Sequence, residues 1–400
     1  MTWEELSGAS NRYTDAPTMK KTKHTPTPTS YEQTEAKAEV IKLGIDIHQR
    51  QYVVVQQVEG EAPKAPQKFT PEAFLKQAAK LKARAKRVVT CYEAGCFGYV
   101  LHRKLESMGI ENKVVRPRNW DEYGSKVKTD GRDARELCSC LDRWLAGNNH
   151  ALNIVHVPTE EQERSRSLSR QRKTLEKEQK RLQNVGVSNG RYYGIELHMN
   201  WWKPRHWCEL EQQLPDWFVA IVAPIQTVLV AIHAQLKEAT AREECTANRK
   251  LPIGLGALTA SVLDKEFRDY SRFSNRRQVG SFTGLCPSEQ SSGGTHRQGS
   301  INKHGNPRIR TNLIEASWRL LQFQPDYEPV KEWREKFARK ASGKASKKKM
   351  IVALARRFAV DWWRINTGQI KAEDVGLKEA YPSAYATKAL REGRIVQHHN

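Results

Sequence analysis

The stretch Val40-Ile41-Lys42-Leu43-Gly44-Ile45-Asp46-Ile47 decides the fold. It alternates like a strand, yet it carries an acid among apolar neighbours. A carboxylate in that setting is expensive to bury without a partner, so Asp46 marks a site as well as a strand. Residues 51–58 read as a second strand, which makes a hairpin with its turn near His48-Gln49-Arg50. A helix follows, opened by Thr70-Pro71-Glu72 with a threonine cap and a proline in the first turn. Residues 87–92 are a short buried strand, 97–108 a helix and 113–115 another strand. From Asp130 a helix sets Ala134, Leu137, Leu141 and Leu145 on one face. The resulting order of strand, hairpin, helix, strand, helix, strand, helix predicts an α/β layer protein over residues 38–157.

The flanking chain differs in composition. Residues 1–37 are polar, with the run Thr25-Pro26-Thr27-Pro28-Thr29, and predict a disordered arm. Over 158–248 the spacing predicts two helices. One opens at Thr159 with Gln162 completing a capping box, and Leu168, Leu175 and Leu182 repeat every seven residues until about 184. The other covers about 216–243, with Ile225, Leu229, Ile232 and Leu236 on one stripe. They make either a projecting coiled-coil hairpin or an ordinary helical subdomain. Residues 249–368 form a compact basic region followed by mostly helical chain, and 369–400 read as a loose polar tail.

The net charge of +22 over 400 residues favours a polyanionic partner, because each neutralised phosphate releases condensed counterions. No uninterrupted apolar run of membrane-spanning length and no signal-peptide pattern is present, so the expected setting is soluble, cytoplasmic and nucleoid-associated, without a membrane partner. The seven cysteines are scattered and odd in number, which predicts reduced thiols. Cys138-Ser139-Cys140 lacks the paired spacing of a zinc site.

Four acids, Asp46, Glu93, Asp130 and Asp133, stand in the order and setting of an RNase H/RuvC-type metal site. Divalent ions about 4 Å apart can activate a nucleophile and stabilise a leaving oxygen in phosphoryl transfer. Hard cations such as magnesium take oxygen ligands and need few protein bonds. Asp46 lies in the first strand, Glu93 directly follows a later strand, and Asp130 and Asp133 are three apart, on one helix face. Taken singly, Asp130 reads as a helix cap and Asp133 as a first-turn dipole partner; it is the four acids together that read as a metal site.

A second constellation lies in the basic region. Residues 251–260, with Gly254 and Gly256, look like a helix-hairpin-helix turn whose glycines let the backbone approach phosphate. Arg276 and Arg277 follow, then a strand-like run over 279–285. Next comes Gln290-Ser291-Ser292-Gly293-Gly294, with Arg297, Lys303 and Arg308 nearby. A nucleophilic serine needs an exposed hydroxyl, a backbone free to bend and cations for the pentavalent phosphate, and this segment offers all three. His296 and His304 read as phosphate contacts rather than general bases.

These two motif sets resemble the DEDD transposases of bacterial insertion-sequence family one-ten, relatives of the Piv DNA invertases. The likeness is carried by Gly44-Ile45-Asp46-Ile47-His48, Tyr92-Glu93-Ala94, Lys128-Thr129-Asp130-Gly131-Arg132-Asp133-Ala134 and the run from 253 to 310. The insert Trp201-Trp202-Lys203-Pro204-Arg205 is similar to subgroup eleven-eleven. The resemblance implies an α/β plus α architecture: a RuvC-like DEDD domain, a coiled-coil segment and a mainly helical transposase domain with a conserved serine. It implies magnesium on Asp46, Glu93, Asp130 and Asp133, and Ser292 as nucleophile, since family members carry the serine directly before glycine. It further implies a structured noncoding bridge or seek RNA that pairs with donor and target DNA, and a homo-oligomer, dimer to tetramer, in which the RuvC-like domain of one subunit meets the transposase domain of another. The chain departs from the family in its long N-terminal arm and lysine-rich C-terminal extension. Two other functions stay open on the residues: a RuvC-like junction nuclease that uses water and no serine, and a non-catalytic nucleic-acid scaffold.

Overall fold

The computed structural model describes residues 37–117, 129–245, 249–292, 294–339 and 344–382. The chain divides into two compact units between Val155 and His156. The expected N-terminal arm, apart from Lys37, lies outside the described residues, as do residues 383–400.

The first unit is built on five strands: β1 (Ala38–Ile47), β2 (Tyr52–Val58), β3 (Gln67–Phe69), β4 (Ala85–Glu93) and β5 (Glu111–Val115). Their order in the sheet is β3-β2-β1-β4-β5. The β1–β2 and β2–β3 pairs are antiparallel, and β1–β4 and β4–β5 are parallel. Strand β1 is therefore central, which suits a run buried from Ile41 to Ile45. Helices α1 (Pro71–Arg84), α2 (Val100–Ser107) and α3 (Asp130–Leu145) complete the layers. The Thr70 hydroxyl accepts from Ala73 N at 3.2 Å, the cap that its sequence predicts.

Helix α3 lies against β1 at an unusually short distance. A Cβ on Gly44 would stand 2.2 Å from the Ala134 carbonyl oxygen and 2.4 Å from Cys138 N. Only glycine fits there, and the contact draws the first turn of α3 towards the end of β1. Two residues earlier on the same face, buried Lys42 pairs with Asp142 of α3 and donates to the Glu59 carbonyl at 2.6 Å. Ala134 and Cys138 pack beside Val53 and Val55, and Leu137 and Leu141 beside Val89 and Cys91.

The second unit opens with α4 (Glu160–Tyr192), with the Thr159–Gln162 capping box present on both arms. Helix α5 (Pro204–Glu211) and α6 (Asp216–Cys245) follow, and α6 packs along α4. Helix α4 runs well past the break expected near 184. Gly186 and Gly190 lie inside it: a Cβ on Gly186 would meet Trp201 Cζ2 at 2.2 Å, and one on Gly190 the Ile195 carbonyl oxygen at 2.5 Å. These glycines are flat seats for the returning chain. Trp201, Trp202 and Trp207 form a small core there with Val187, Phe218, Val222 and Leu229. The buried stripe of α6 is thus Phe218-Val222-Leu229, while Ile225 is only partly buried and Leu168 of α4 is exposed. Helix α6 is also long and apolar enough to cross a membrane by length and composition, although Gln226, Thr227, His233 and Gln235 interrupt its apolar run. The same composition serves a helix packed on a neighbour, as α6 is on α4.

Beyond it come β6 (Leu251–Pro252), α7 (Ala257–Phe267), α8 (Arg276–Thr283), β7 (Pro287–Ser292), β8 (Thr295–Ile301), α9 (Pro307–Phe323), α10 (Glu328–Arg339), α11 (Lys344–Asn366) and β9 (Glu379–Ala380). Their core gathers Leu263, Phe267, Val279, Leu313, Leu320, Phe358 and Trp362. Two expectations are corrected here. The strand-like run 279–285 is helical as far as Thr283: Asn275 accepts from Arg277 N and Gln278 N at 3.0 and 3.1 Å, and Gly284 closes the helix in the left-handed region. That capping outweighs the β propensity of Val279 and Phe282. Nor are residues 369–382 a loose tail, because Ala372, Val375 and Leu377 are buried in the core and β9 pairs with β6.

Candidate functional site

Asp46 is half-buried at the end of β1, and the exposed His48 follows two residues on, on the same side of the extended chain. Through the Gly44 contact, α3 brings Asp130 to this point. His48 Nε2 lies 3.2 Å from Asp46 Oδ2 and 3.3 Å from Asp130 Oδ2. Among the described residues, Asp46, His48 and Asp130 offer ligand atoms all within 4.8 Å of one another. Burial pushes the Asp46 carboxyl above its usual value; His48 opposes this, and the carboxylates of Asp130 and Asp133 add to it. Thr129 occupies the cap position of α3, so Asp130 is the first helical residue and not the cap.

Glu93 ends β4 and pairs with Val115; since Ile45 pairs with Tyr92, it stands beside Asp46 across the β1–β4 pair. Glu93 thus stands beside the three-residue cluster through the strand register, and Asp133 is near enough for its carboxylate to act on Asp46. His48 is the residue that sequence reasoning passed over, having read it as part of a turn. Period-two alternation was the signal that could have placed it on the Asp46 face.

In the second unit, Ser292 is the last residue of β7. The hairpin register pairs Ser291 with His296 and Ser292 with Thr295, and Gly294 takes φ +82° in the turn between the strands. The base of the hairpin is tied by backbone bonds from Asn302 N to Cys286 O at 2.8 Å and from Asn306 N to Phe282 O at 2.8 Å. Arg297 and Lys303 are exposed near it, and Arg276 and Arg277 are exposed in the first turn of α8. Cations at a helix start oppose its dipole, so helix stability does not account for that pair. Gly254 has φ +96° and Gly256 is the cap residue of α7. The chain before them is the short strand β6, so the expected helix-hairpin-helix turn has a strand at its entry.

Arg308 is placed differently from its basic neighbours. Its guanidinium donates to the Ser169 hydroxyl and carbonyl of α4, both at 2.7 Å, and reaches Glu266 at 3.4 Å. Glu266 is fully buried and also accepts from Arg166 at 3.0 Å, Arg170 at 3.2 Å and Asn306 Nδ2 at 2.8 Å. Burial alone would raise the Glu266 carboxyl, but the Arg170, Arg166 and Asn306 partners together hold it below its usual value. Arg308 therefore fastens α4 to the start of α9, a role that spacing along the chain did not signal.

The family description "Transposase IS116/IS110/IS902 family" matches residues 252–330, the segment holding the Gly254 turn, the hairpin and the start of α9. A Sinorhizobium fredii protein assigned as a transposase, y4rJ, is 31% identical over 328 residues, covering 73% of this chain and 81% of the relative. The transposase for insertion sequence element IS1111A of Coxiella burnetii is 26% identical over 285 residues, covering 67% and 74% of the two chains. The transposase for insertion sequence element IS1328 of Yersinia enterocolitica is 24% identical over 244 residues, covering 58% and 71%.

Proposed function

The chain belongs to the IS116/IS110/IS902 transposase family, and on that premise we propose that it is an RNA-guided DNA recombinase that moves its own insertion sequence through a serine nucleophile. The observation that carries this reading is the convergence of Asp46, His48 and Asp130, from the end of β1 and the start of α3, with Glu93 and Asp133 at its margin. A five-stranded sheet with a central acid-bearing first strand supports assigning the first unit to the RNase H/RuvC-like class.

The donor set fits a hard divalent cation. Carboxylate oxygens are the ligands magnesium prefers, and a cation would oppose what raises the Asp46 carboxyl, burial first and the Asp130 and Asp133 carboxylates after it. Imidazole is a poorer match, so His48 is assigned as a hydrogen-bond partner that orients Asp46 and Asp130. Asp46, Glu93, Asp130 and Asp133 would hold the ion. When bound, magnesium supplies positive charge at a phosphate oxygen.

Ser292 Oγ gives up its proton and forms a bond to the phosphorus of the scissile phosphodiester, while the bond from phosphorus to the deoxyribose oxygen breaks and that oxygen takes up a proton from solvent, giving a covalent protein–DNA link. Its place at a hairpin end beside Gly293-Gly294, with Arg297 exposed on the partner strand, supports that role. Arg276, Arg277, Arg297 and Lys303 would contact nucleic-acid phosphates. The guide RNA would supply sequence choice by base pairing, leaving the protein to recognise shape and backbone. A homo-oligomer acting on donor and target DNA in the cytoplasm completes the reading.

The test is a denaturing gel for protein-linked DNA, together with sequencing of RNA that copurifies with the full-length protein. Ser292→Ala should abolish the adduct and spare RNA binding, whereas Ser291→Ala should leave the adduct in place. An adduct that persists in Ser292→Ala removes the serine mechanism, and cleavage without any adduct favours hydrolysis by water.

A further inference from the structure

Helix α9 buries Ile309, Leu313, Ala316 and Leu320, yet it carries a tryptophan on its wet side. Trp318 is 41% exposed and takes no part in the core beneath it. By contrast, Trp362 and Trp363 of α11 are 1% and 5% exposed. Leaving an indole in water forgoes the stabilisation that burial would give, so core packing does not explain this residue.

What surrounds Trp318 is cationic. Lys347 of α11 holds its ammonium over the ring, 5.6 Å from its centroid. Arg319, the next residue on α9, is exposed on the neighbouring face, where its Nη1 lies 3.7 Å from the position a Cβ would take on Gly256. Lys348 is exposed beside Lys347, and Glu315 is the exposed acid one helical turn before Trp318. The ridge therefore presents a partly exposed indole with one cation over the ring and others beside it, and a planar base carried on a phosphate backbone could displace the Lys347 ammonium from the ring to a phosphate.

We propose that Trp318 is a stacking platform for an unpaired base of an RNA strand, with Lys347 and Arg319 taking the adjoining phosphates. Within a duplex each base has both faces covered by its stacked neighbours, so the interior of duplex DNA offers nothing to this surface, whereas a folded RNA displays unpaired bases in its loops and bulges. The proposal rests on the RNA partner in the reading above, but its test requires no catalysis.

Binding of the full-length protein to a short fluorescent oligouridylate and to a DNA duplex is measured by anisotropy. Trp318→Ala should weaken the oligouridylate by about ten-fold or more and the duplex by less than about two-fold. Trp318→Phe, which keeps a ring, should restore most of the affinity. Lys347→Ala and Arg319→Ala should each lower the salt dependence of oligouridylate binding by about one counterion. Unchanged binding in Trp318→Ala, with its melting temperature retained, overturns the proposal, as does an equal loss on duplex. A second arm uses cells fed 4-thiouridine, which enters RNA but not DNA. After irradiation, an RNA adduct is expected on the tryptic peptide covering residues 311–319. RNA adducts found elsewhere on the chain but not on this peptide would overturn the assignment, even with copurifying RNA and the serine–DNA link both established.

Discussion

Replacing Gly44 by alanine tests how the acid cluster is assembled. The new Cβ would sit 2.2 Å from the Ala134 carbonyl oxygen, 2.4 Å from Cys138 N and 2.9 Å from Cys138 Cα, all backbone atoms that cannot rotate away. Ordinary contact starts near 3.4 Å, so α3 has to recede by about 1 Å. Overpacking of this kind costs about 1–3 kcal/mol. The same displacement carries Asp130 and Asp133, both in the first turn of α3, away from Asp46. The 3.3 Å contact from His48 to Asp130 then falls outside hydrogen-bonding range. A misplacement near 1 Å can lower a catalysed rate by about 100-fold. The assay is thermal melting with and without magnesium, alongside cleavage of element-end DNA. The expected result is a lower melting temperature, a smaller magnesium-induced rise and strongly reduced cleavage. Gly60→Ala is the control, because nothing lies within 4 Å of a Cβ there. A Gly44→Ala protein that melts and cleaves like the parent would refute the placement of α3 on β1, and with it the convergence of the acids.

Three further outcomes follow from the same structure. Asp46→Asn should stabilise the metal-free protein at neutral pH. The folded Asp46 carboxyl is raised, so the stability it contributes is present below its unfolded value and lost as pH rises through the raised one. Magnesium should then no longer lift the melting temperature of that variant, and a chelator should change the parent alone. Glu266→Ala should cost about 3–5 kcal/mol in urea unfolding, since it leaves Arg166, Arg170 and Arg308 together without their shared carboxylate. The depressed Glu266 carboxyl contributes stability that is present above its unfolded value and lost as pH falls through the folded one, so Glu266→Gln should flatten that acid limb. Gly186→Ala should cost about 1–3 kcal/mol and weaken the near-ultraviolet dichroism of the tryptophans, because Trp201 is only 2% exposed and has little room to move.

Strands β1, β2, β4 and β5 were legible because they are apolar and punctuated, whereas β3, with Gln67 and Lys68 exposed, carried no such signal. Apolar runs on either side of the turn at 48–50 set β1 against β2, and the capping residues Thr70 and Thr159 start helices where their hydrogen bonds require. Where the reading of local pattern failed, a tertiary contact had changed the meaning of a residue. Gly186 and Gly190 look like helix breakers by propensity, yet they are helical because Trp201 and residues 195–197 occupy the space their side chains would fill. The run 279–285 looks like a strand by composition, but the Asn275 cap decides for helix.

The two candidate sites differ in the same way. Asp46 announced itself because an acid in a buried strand violates a local rule, and such violations concentrate where a protein acts. His48 follows from alternation once Asp46 is taken as the reference, so the missing step was a choice of face and not of element. Arg308 shows the converse. In the sequence it is one basic residue among several beside a glycine-rich loop, whereas in the fold its guanidinium is spent on Glu266 and Ser169. Nothing along the chain distinguishes it from Arg297 or Lys303, because its partners are 42 and 139 residues away. Charge composition thus identifies the class of ligand, while the division of cations between holding the protein together and holding the ligand is settled by which of them a buried acid has claimed. By that criterion Arg297 and Lys303, exposed beside the hairpin, are the cations to test first for phosphate contact, and Arg308 is the one whose loss should read as unfolding.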